Sequence, residues 1–413
     1  MRININSEIG NLESVIIHTP GHEVENMTPQ NAERALYSDI LNLSVAAREY
    51  SQFKKVLKKL TNVFEVTDLL KTVVSDKDSK IELITKICNE ENVPEIIDYL
   101  LDQPPAELAR QLIEGVLVKE FNLTKYLSDE RYELQPLHNF FFTRDASMSI
   151  NNNVLIGKLA NQVREREAII MEAIFNCKKI FDTETLNPKS NYLAKKITIE
   201  GGDLLVARED ILLVGVGART TAQGIDYLIE HFKQSKRKMN IIAQVLPRQP
   251  ESFIHLDMVF TLLDKNKCLI YPEVILNNHA YESIHISIDN GKVKSINEED
   301  NLIQSLSKLG MDLEPIYCGG ESDHWIQERE QWHSGANFFA VGPGKIIGYG
   351  RNEYTIEAIN KKGFEVIKAK DIISNKIKHN DYKKYVITID GAELARGGGG
   401  CRCMTMPINR KNL

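Results

Sequence analysis

The sequence contains no uncharged apolar run that approaches the roughly 18 residues needed to cross a bilayer. Its opening stretch, MRININSEIGNLESVIIHTP, lacks the long apolar segment of a secretory signal. No long run of lysine and arginine is present, and the formal net charge of the 413 residues is -6. We therefore expect a cytoplasmic protein with neither a membrane nor a nucleic acid as its partner.

Cysteine is also sparse, with six residues in the chain. Four of them, Cys88, Cys177, Cys268 and Cys318, are far apart in or beside apolar stretches, so we expect buried thiols rather than a disulfide framework. The other two form a CxC pair, Cys401 and Cys403, directly after four glycines. Such a pair could bind a metal, close a disulfide or act as a nucleophile.

What the sequence does contain is typical of a globular α/β protein, with 42% hydrophobic and 26% charged residues. Short runs rich in β-formers, such as ILLVGVG and YVITIDGAEL, alternate with amphipathic helical patterns such as AAREYSQFKKVLKKL and TTAQGIDYLIEHFKQS. From Asp68 to Phe121 the spacing is helical throughout. We interpret residues 68–121 as an all-helical insertion in an α/β domain formed by residues 1–67 and 122–413.

Polar clusters stand beside several predicted strands. In FTRD, Asp145 follows an aromatic run and Arg144, which on its own favours a local ion pair or a turn aspartate. In EGGD, Glu200 and Asp203 flank two glycines, and this indicates either an acidic turn or a close approach of the backbone to a ligand.

The run SFIHLDMVFTLL is more informative, because His255 and Asp257 lie two residues apart in a pattern that predicts a strand. Both side chains would then project from one face. A core histidine with satisfied hydrogen bonds is the usual interpretation, but the adjacent carboxylate adds a desolvation cost unless the two groups pair or meet a charged ligand.

For the CxC pair, a zinc site lacks a second paired cluster of ligands, and a disulfide between residues two apart is strained. The nucleophile is the best remaining role, since a glycine run can bring a thiolate close to a substrate; we expect Gly397 to Gly400 to form a mobile loop. Several carboxylates around a cysteine would suppress attack unless the substrate is itself a cation. Guanidinium, planar and always charged, fits paired carboxylates best.

The motifs FTRD, EGGD, HLD followed by VFT, and the terminal RCMTMP resemble those of the arginine deiminases in order and approximate spacing. The similarity extends to GNLESVIIHTPGHEVENMTP and to REQWHSGANFFAVGPGKIIGYGRNEYT, so it covers nearly the whole chain. It implies an α/β fold, the five-fold pseudo-symmetric α/β propeller of guanidino-modifying enzymes, and hydrolysis of L-arginine to L-citrulline and ammonia. It also implies that no metal or organic cofactor is needed and that the protein is a homo-oligomer.

Carried over by position, the resemblance makes Cys403 the nucleophile and Cys401 a bystander. It makes His255 the general acid and base, oriented by Glu200, while Asp145 and Asp257 would hold the guanidinium nitrogens.

At the other end of the substrate, the resemblance implies that Asn139, Arg164 and Arg219 bind the α-carboxylate, and we add Asp203 to the substrate-binding set. The chain departs from the family pattern at His138, at the segment YSDI near residue 38, and at Gly398. Other members often have an arginine at the position of Gly398, whereas the nearest arginine before it in this chain is Arg396.

Other functions fit the same residues. A deiminase of another guanidine or an amidinotransferase would use the same cysteine, histidine and carboxylates. The alternatives that are not enzymes are a catalytically silent arginine-binding protein and a metal-binding CxC protein.

Overall fold

The computed structural model describes residues 1–32, 37, 39–118, 123–127, 130–188, 197–277 and 280–413. The chain is a mixed α/β protein. Its strands are Leu12–Ile17, Asn62–Glu65, Val116–Leu117, Tyr132–Leu134, Ser147–Ile150, Asn153–Ile156, Glu184–Leu186, Leu204–Arg208, Ile211–Val216, Met239–Val245, Phe260–Asp264, Lys267–Ile270, Ser283–Asp289, Lys292–Glu299, Glu314–Tyr317, Phe339–Gly342, Lys345–Tyr349, Glu365–Lys368, Tyr385–Ile389 and Met406–Arg410.

Helices connect these strands and cover the sheets. The α-helices are His22–Glu25, Pro29–Ala32, Leu43–Leu60, Val66–Val74, Lys77–Glu90, Ile97–Leu101, Pro105–Glu114, Leu123–Tyr126, Glu165–Asn176, Ala222–Ser235, Pro272–Ile275, Leu302–Lys308, His324–Trp332, Glu353–Lys361 and Ala369–Ile373. No helix in the described ranges combines the length and the apolar character that a membrane crossing requires.

Five of the six sheets formed by the described residues share one pairing pattern. In each, a first strand pairs antiparallel with a second, and the second pairs parallel with a third. The first strands of the five sheets are Ser147–Ile150, Leu204–Arg208, Phe260–Asp264, Phe339–Gly342 and Met406–Arg410. The last of these pairs with Leu12–Ile17, so the two ends of the chain close one sheet together.

The predicted alternation of strands and helices is confirmed in its main elements. ILLVGVG forms Ile211–Val216, and TTAQGIDYLIEHFKQS forms Ala222–Ser235, whose N-terminus is capped by Thr221 accepting a hydrogen bond from the Gly224 amide. The stretch FFAVGPGKIIGYG is a hairpin of two strands, Phe339–Gly342 and Lys345–Tyr349. The glycines and the proline in this stretch allow the tight turn between them.

Between Val66 and Glu114 the described elements are all helical. Leu70, Ile84 and Leu112 are fully buried and belong to a core that also contains residues of the helix Glu165–Asn176. Pro105 occupies the first turn of its helix, as predicted. The prediction of helix throughout the insertion is wrong at Val116–Leu117, which is a short strand paired with Tyr132–Leu134. Residues 119–121 of the predicted insertion lie outside the described residues, as does Ser38 of the YSDI segment.

The segment leading to the CxC pair is held by a buried carboxylate from the long helix Leu43–Leu60. Glu49 accepts hydrogen bonds from the amides of Ala392, Glu393 and Leu394 at 2.9 to 3.2 Å. The Ala392 and Glu393 amides precede the 3-10 helix Leu394–Gly397 and the Leu394 amide begins it, so one carboxylate satisfies several donors that the start of this helix leaves unpaired.

Replacing Glu49 with Gln should destabilise the protein by about 1–3 kcal/mol. The Nε2 group of Gln replaces one carboxylate oxygen, so its N–H groups would face backbone N–H donors that this oxygen had satisfied. Urea unfolding followed by far-UV circular dichroism measures this difference. The matched control is Arg48→Ala on the same helix, where the exposed side chain of Arg48 donates to the Ser44 carbonyl and a loss within about 0.5 kcal/mol is expected. Equal losses in the two variants would contradict the capping role of Glu49.

Candidate active site

The predicted site residues lie in equivalent places of successive sheets, in the turns that precede the first strands. Asp145 stands before Ser147, Glu200 and Asp203 before Leu204, and Cys403 before Met406. His255 and Asp257 precede Phe260 in the same way. Because the ends of first strands are rigid, these turns hold the polar groups in fixed positions.

The Cys403 thiol is buried between an amide and a carboxylate. Its Sγ atom lies 3.1 Å from Asn337 Nδ2 and 3.7 Å from the nearer oxygen of Asp257. Burial raises the pKa of Cys403 well above its usual value, and the carboxylates of Asp257 and Asp145 raise it further. In the substrate-free protein the cysteine is therefore a thiol, and a cation beside it would favour the thiolate.

Asp257 is held by an arginine next to the cysteine. Arg402 donates from Nη1 to Asp257 Oδ2 at 2.8 Å and binds both oxygens of Glu8 at 3.0 Å. It also donates to the carbonyl of Leu204 at 2.8 Å. Burial alone would raise the pKa of Glu8, but the charge of Arg402 outweighs it and lowers that pKa to about 2.

His255 and Glu200 form a second buried pair. His255 Nε2 lies 2.8 Å from Glu200 Oε2, and its Nδ1 lies 3.8 Å from Asp145 Oδ1. Burial alone would lower the pKa of His255, yet the carboxylates of Asp145 and Glu200 raise it to about 9. The imidazole is therefore protonated at neutral pH and can donate a proton to a leaving group.

Asp145 is oriented by a buried arginine. Arg164 donates to Asp145 Oδ2 at 2.8 Å, while Glu167 binds the Nε and Nη2 groups of the same guanidinium at 3.0 and 2.8 Å. The other oxygen of Asp145 accepts from the Gly202 amide at 3.1 Å. The predicted carboxylate-binding residue Arg164 thus contacts the predicted guanidinium-binding residue Asp145.

The local interpretation of FTRD as an Arg144–Asp145 ion pair is wrong. Arg144 donates instead to the carbonyl of Arg402 at 3.2 Å and to Thr405 Oγ1 at 3.0 Å. Its side chain thereby supports the turn that carries Cys403 rather than the carboxylate next to it in sequence.

The two glycines of EGGD allow a close approach. A Cβ atom on Gly202 would lie 2.5 Å from the ring of His255, a distance that real side chains do not reach. Asp203 supports the same region, because its Oδ1 accepts from the Leu256 amide at 2.9 Å. Burial raises the pKa of Asp203 to about 7.

The prediction of a strand at HLD is wrong. Residues Leu256–Met258 form a 3-10 turn with His255 at its N-terminal boundary, and the strand begins at Phe260. The turn nevertheless brings His255 to Glu200 and Asp257 to Cys403. Tertiary contacts with buried charges outweigh the local preference for a strand here.

The remaining predicted residues lie at the margins of this cluster. Arg219 Nη1 is 3.9 Å from Glu200 Oε1, and Asn139 is buried in the turn before FTRD, where its carbonyl accepts from the Phe142 amide at 2.9 Å. Arg396 is paired with Asp39 and Glu393, each at 3.0 Å. Gly398 adopts a left-handed conformation with φ of 83°, next to open space.

All six cysteines are free thiols, and Cys88, Cys268 and Cys318 are buried as expected, whereas Cys177 is half-buried. Cys401 is buried in the same apolar core as Tyr50 and Tyr349, and burial raises its pKa. The glycines before it are partly packed, since a Cβ on Gly399 would meet the ring of Phe142 at 2.5 Å.

Taken together, the cluster places the carboxylate of Asp257 beside the thiol and a protonated imidazole between Glu200 and Asp145. The ligand atoms of Asp145, Glu200 and His255 lie within 4.8 Å of one another, a spacing that a metal ion could also use. However, Arg164 and the Gly202 and Ala160 amides already donate to these carboxylates, and His255 is protonated. Carboxylate oxygens that are already oriented in this way suit a planar cation that itself donates hydrogen bonds.

Sequence reasoning missed the residues that orient the predicted ones, namely Glu8, Asn337, Arg402 and Glu167. Each lies inside or near a motif, but nothing in the sequence shows that Glu8 and Arg402, 394 residues apart, meet as a bidentate pair.

Comparison with known proteins identifies relatives over the whole chain. The family model for arginine deiminase matches residues 33–410. The chain is 32% identical over 427 residues to an arginine deiminase of Listeria monocytogenes, covering 100% of this chain and 98% of that protein. It is 31% identical over 430 residues to an arginine deiminase of Bacillus cereus, covering 100% of this chain and 99% of that protein.

Solved structures show the same fold at low identity. The N-terminal domain of ArgZ, an arginine dihydrolase from cyanobacteria, matches with a TM-score of 0.54 and 14% identity, covering 96% of this chain and 97% of that one. SxtG, an amidinotransferase from Microseira wollei, matches with a TM-score of 0.54 and 14% identity, covering 100% of this chain and 98% of that one.

The protonated His255 predicts how stability depends on pH. A pKa of about 9 in the folded protein lies above the unfolded value of roughly 6.5, so this stabilisation is complete below about pH 6.5 and is lost as the pH rises through about 9. Urea unfolding should show that the free energy of unfolding is lower at pH 9 than at pH 6.5, by on the order of 2–3 kcal/mol. This difference should be smaller in His255→Gln.

The matched control is His285→Gln. Burial lowers the pKa of His285, so its influence on the free energy of unfolding lies at acid pH, outside the range tested. That variant should keep the wild-type slope between pH 6.5 and pH 9. An unchanged slope in His255→Gln would show that His255 is not held as a cation.

Proposed function

This chain belongs to the arginine deiminase family, and on that premise we propose that it hydrolyses L-arginine to L-citrulline and ammonia with Cys403 as nucleophile. The observation that carries the proposal is the buried thiol beside Asp257, with the His255–Glu200 pair and Asp145 close by. A guanidinium bound between the two aspartates would neutralise the carboxylates that raise the pKa of Cys403.

The first half of the reaction forms a covalent intermediate. Binding of the guanidinium favours ionisation of Cys403, whose proton is released to solvent. The thiolate attacks the guanidinium carbon, and the tetrahedral adduct expels one terminal nitrogen, which leaves as ammonia after taking a proton from His255. The product of this step is an S-alkylthiouronium. Asp145 and Asp257 bind the nitrogens, and Glu200 keeps the imidazole directed at the departing group.

The second half returns the enzyme. Neutral His255 accepts a proton from water as the water oxygen attacks the same carbon, and collapse of the adduct breaks the carbon–sulfur bond. The second proton of the water passes to the Cys403 thiolate as citrulline leaves. The ammonia takes up the proton released when the thiolate formed, so the two half-reactions together convert arginine and one water into citrulline and one ammonium ion.

For the amino-acid end of the substrate we propose Arg164, Arg219 and Asn139 as ligands of the α-carboxylate, with Asp203 supporting the site. Arg164 is tied to Asp145, so its position depends on the carboxylate that binds the opposite end of the substrate. Arg219 is only loosely paired, at 3.9 Å from Glu200, and is the cation best placed to accept a new carboxylate.

We further propose that the five sheets form a five-fold propeller around this site, with residues 68–121 inserted as a helical subdomain. The shared strand pairing and the equivalent turns support that arrangement. A cytoplasmic homo-oligomer is the expected state of the protein.

The assay that tests the proposal measures citrulline and ammonia from L-arginine, with agmatine in parallel and with glycine as an added amine acceptor. We expect citrulline from arginine and no transfer to glycine. Cys403→Ala should abolish turnover, whereas Cys401→Ala should keep most of it because Cys401 lies in the apolar core. Transfer of the amidino group to glycine would identify an amidinotransferase, and full activity of Cys403→Ala would overturn the mechanism.

Recognition of the α-carboxylate is tested at Arg219. Arg219→Ala should raise the KM for arginine roughly 10- to 100-fold, the effect of losing a charge-assisted hydrogen bond, and should change agmatine turnover little. Arg208→Ala, which removes an arginine paired with Asp210, is the control and should leave both parameters unchanged. If Arg219→Ala and Arg208→Ala have the same KM for arginine, Arg219 does not bind the carboxylate.

A further inference from the structure

Four of the five equivalent turns contribute residues with a proposed role, and the fifth turn precedes Phe339–Gly342. Asn337 stands there, two residues before the strand, as Asp145 stands two residues before Ser147. Its side chain is 1% exposed and reaches the same cluster. The strand pattern therefore singles out Asn337 as the member of the site that the fifth sheet supplies.

The hydrogen bonds of the Asn337 amide determine its orientation. Oδ1 accepts from the backbone amides of Arg402 and Cys403 at 2.9 and 3.3 Å. Nδ2 donates to the Asp257 carbonyl at 3.1 Å and to Cys403 Sγ at 3.1 Å. Rotation by 180° would place N–H groups against two N–H donors, so the N–H groups must face the sulfur.

The turn that carries Asn337 is itself held firmly. The backbone N–H of Asn337 donates to the Ser334 carbonyl at 3.0 Å, and Thr261 Oγ1 donates to the Ala336 carbonyl at 2.7 Å. On its other side, Gly400 packs so closely that a Cβ there would lie 2.6 Å from Asn337 Oδ1. This contact gives one physical reason for glycine at position 400 in the run before the CxC pair.

We propose that Asn337 is a further catalytic residue, which stabilises the Cys403 thiolate through the Nδ2–H···Sγ hydrogen bond and holds the backbone of the nucleophile turn. The inference rests on the proposed function, because it concerns the same cysteine. A donor directed at the sulfur favours the ionised form, and this hydrogen bond strengthens as negative charge develops on the sulfur.

The charged and titratable groups that face the thiol are Asp257, Asp145, Arg402 and Tyr349. The two carboxylates oppose ionisation, and Arg402 favours it but is already shared between Asp257 and Glu8. The Tyr349 hydroxyl donates to the Gly399 carbonyl at 3.0 Å. Among the described side chains, Asn337 is thus a neutral donor that directly contacts the sulfur.

The test compares Asn337→Ala and Asn337→Asp with the wild-type protein. Both variants remove the Nδ2–H donor. Asn337→Asp still offers an oxygen that can accept from the backbone amides of Arg402 and Cys403, and Asn337→Ala does not. We expect kcat to fall roughly 10- to 100-fold in each, as for the loss of a hydrogen bond to a charged group. The pH midpoint for alkylation of Cys403 by iodoacetamide, followed by peptide mass spectrometry, should rise by about one unit or more.

Asn352→Ala is the matched control, because Asn352 is a buried asparagine whose Nδ2 donates to the His333 carbonyl at 3.1 Å. It should keep the wild-type midpoint even if its melting temperature falls. Should Asn337→Ala fail to fold, Asn337→Ser provides the same comparison. A lowered melting temperature with an unchanged midpoint in the Asn337 variants would overturn the inference and leave a structural role alone.

Failure of the inference and failure of the proposed function are distinguishable. Alkylation reports the state of the sulfur whether or not arginine is turned over. If the wild-type protein releases no citrulline, the proposed function fails, while a raised alkylation midpoint in the variants still establishes the Asn337–Cys403 hydrogen bond.

Discussion

Arg402 is the side chain on which the geometry of the site depends. It is 1% exposed and joins Glu8, near the start of the chain, to Asp257 and to the Leu204 carbonyl. A buried arginine is tolerated only when its hydrogen bonds and its charge are satisfied, and these partners satisfy both. Because Arg402 precedes Cys403, the same contacts locate the nucleophile.

A second arginine repeats this arrangement around Asp145. Arg164 orients Asp145 and is in turn oriented by Glu167, just as Arg402 lies between Asp257 and Glu8. Each predicted guanidinium-binding aspartate thus has a fixed cation beside it, Arg164 at Asp145 and Arg402 at Asp257. Such preorganised charges favour a bound cation and cost little rearrangement when the reaction begins.

The fold could be predicted in outline because the hydrophobic pattern dominates it. ILLVGVG and YVITIDGAEL begin with the strands Ile211–Val216 and Tyr385–Ile389, and the helices from Val66 to Glu114 follow the spacing of their apolar residues. Prediction failed at HLD, where an apolar run resembling a strand is a 3-10 turn, because His255 and Asp257 form buried polar contacts in different directions. It also failed at Arg144, whose partners come from the turn around Arg402 rather than from the neighbouring Asp145.

The sequence by itself determined the residue types of the site, their order along the chain and the chemistry they suggest, since a thiol, an imidazole and several carboxylates suit a cationic guanidine. The tertiary structure decided which of these groups touch. The pairing of Glu8 with Arg402 and the direction of the Asn337 amide toward Cys403 depend on how separate sheets bring their turns together. Contacts between residues hundreds of positions apart leave no local pattern, because their energy appears only when burial removes water from both partners.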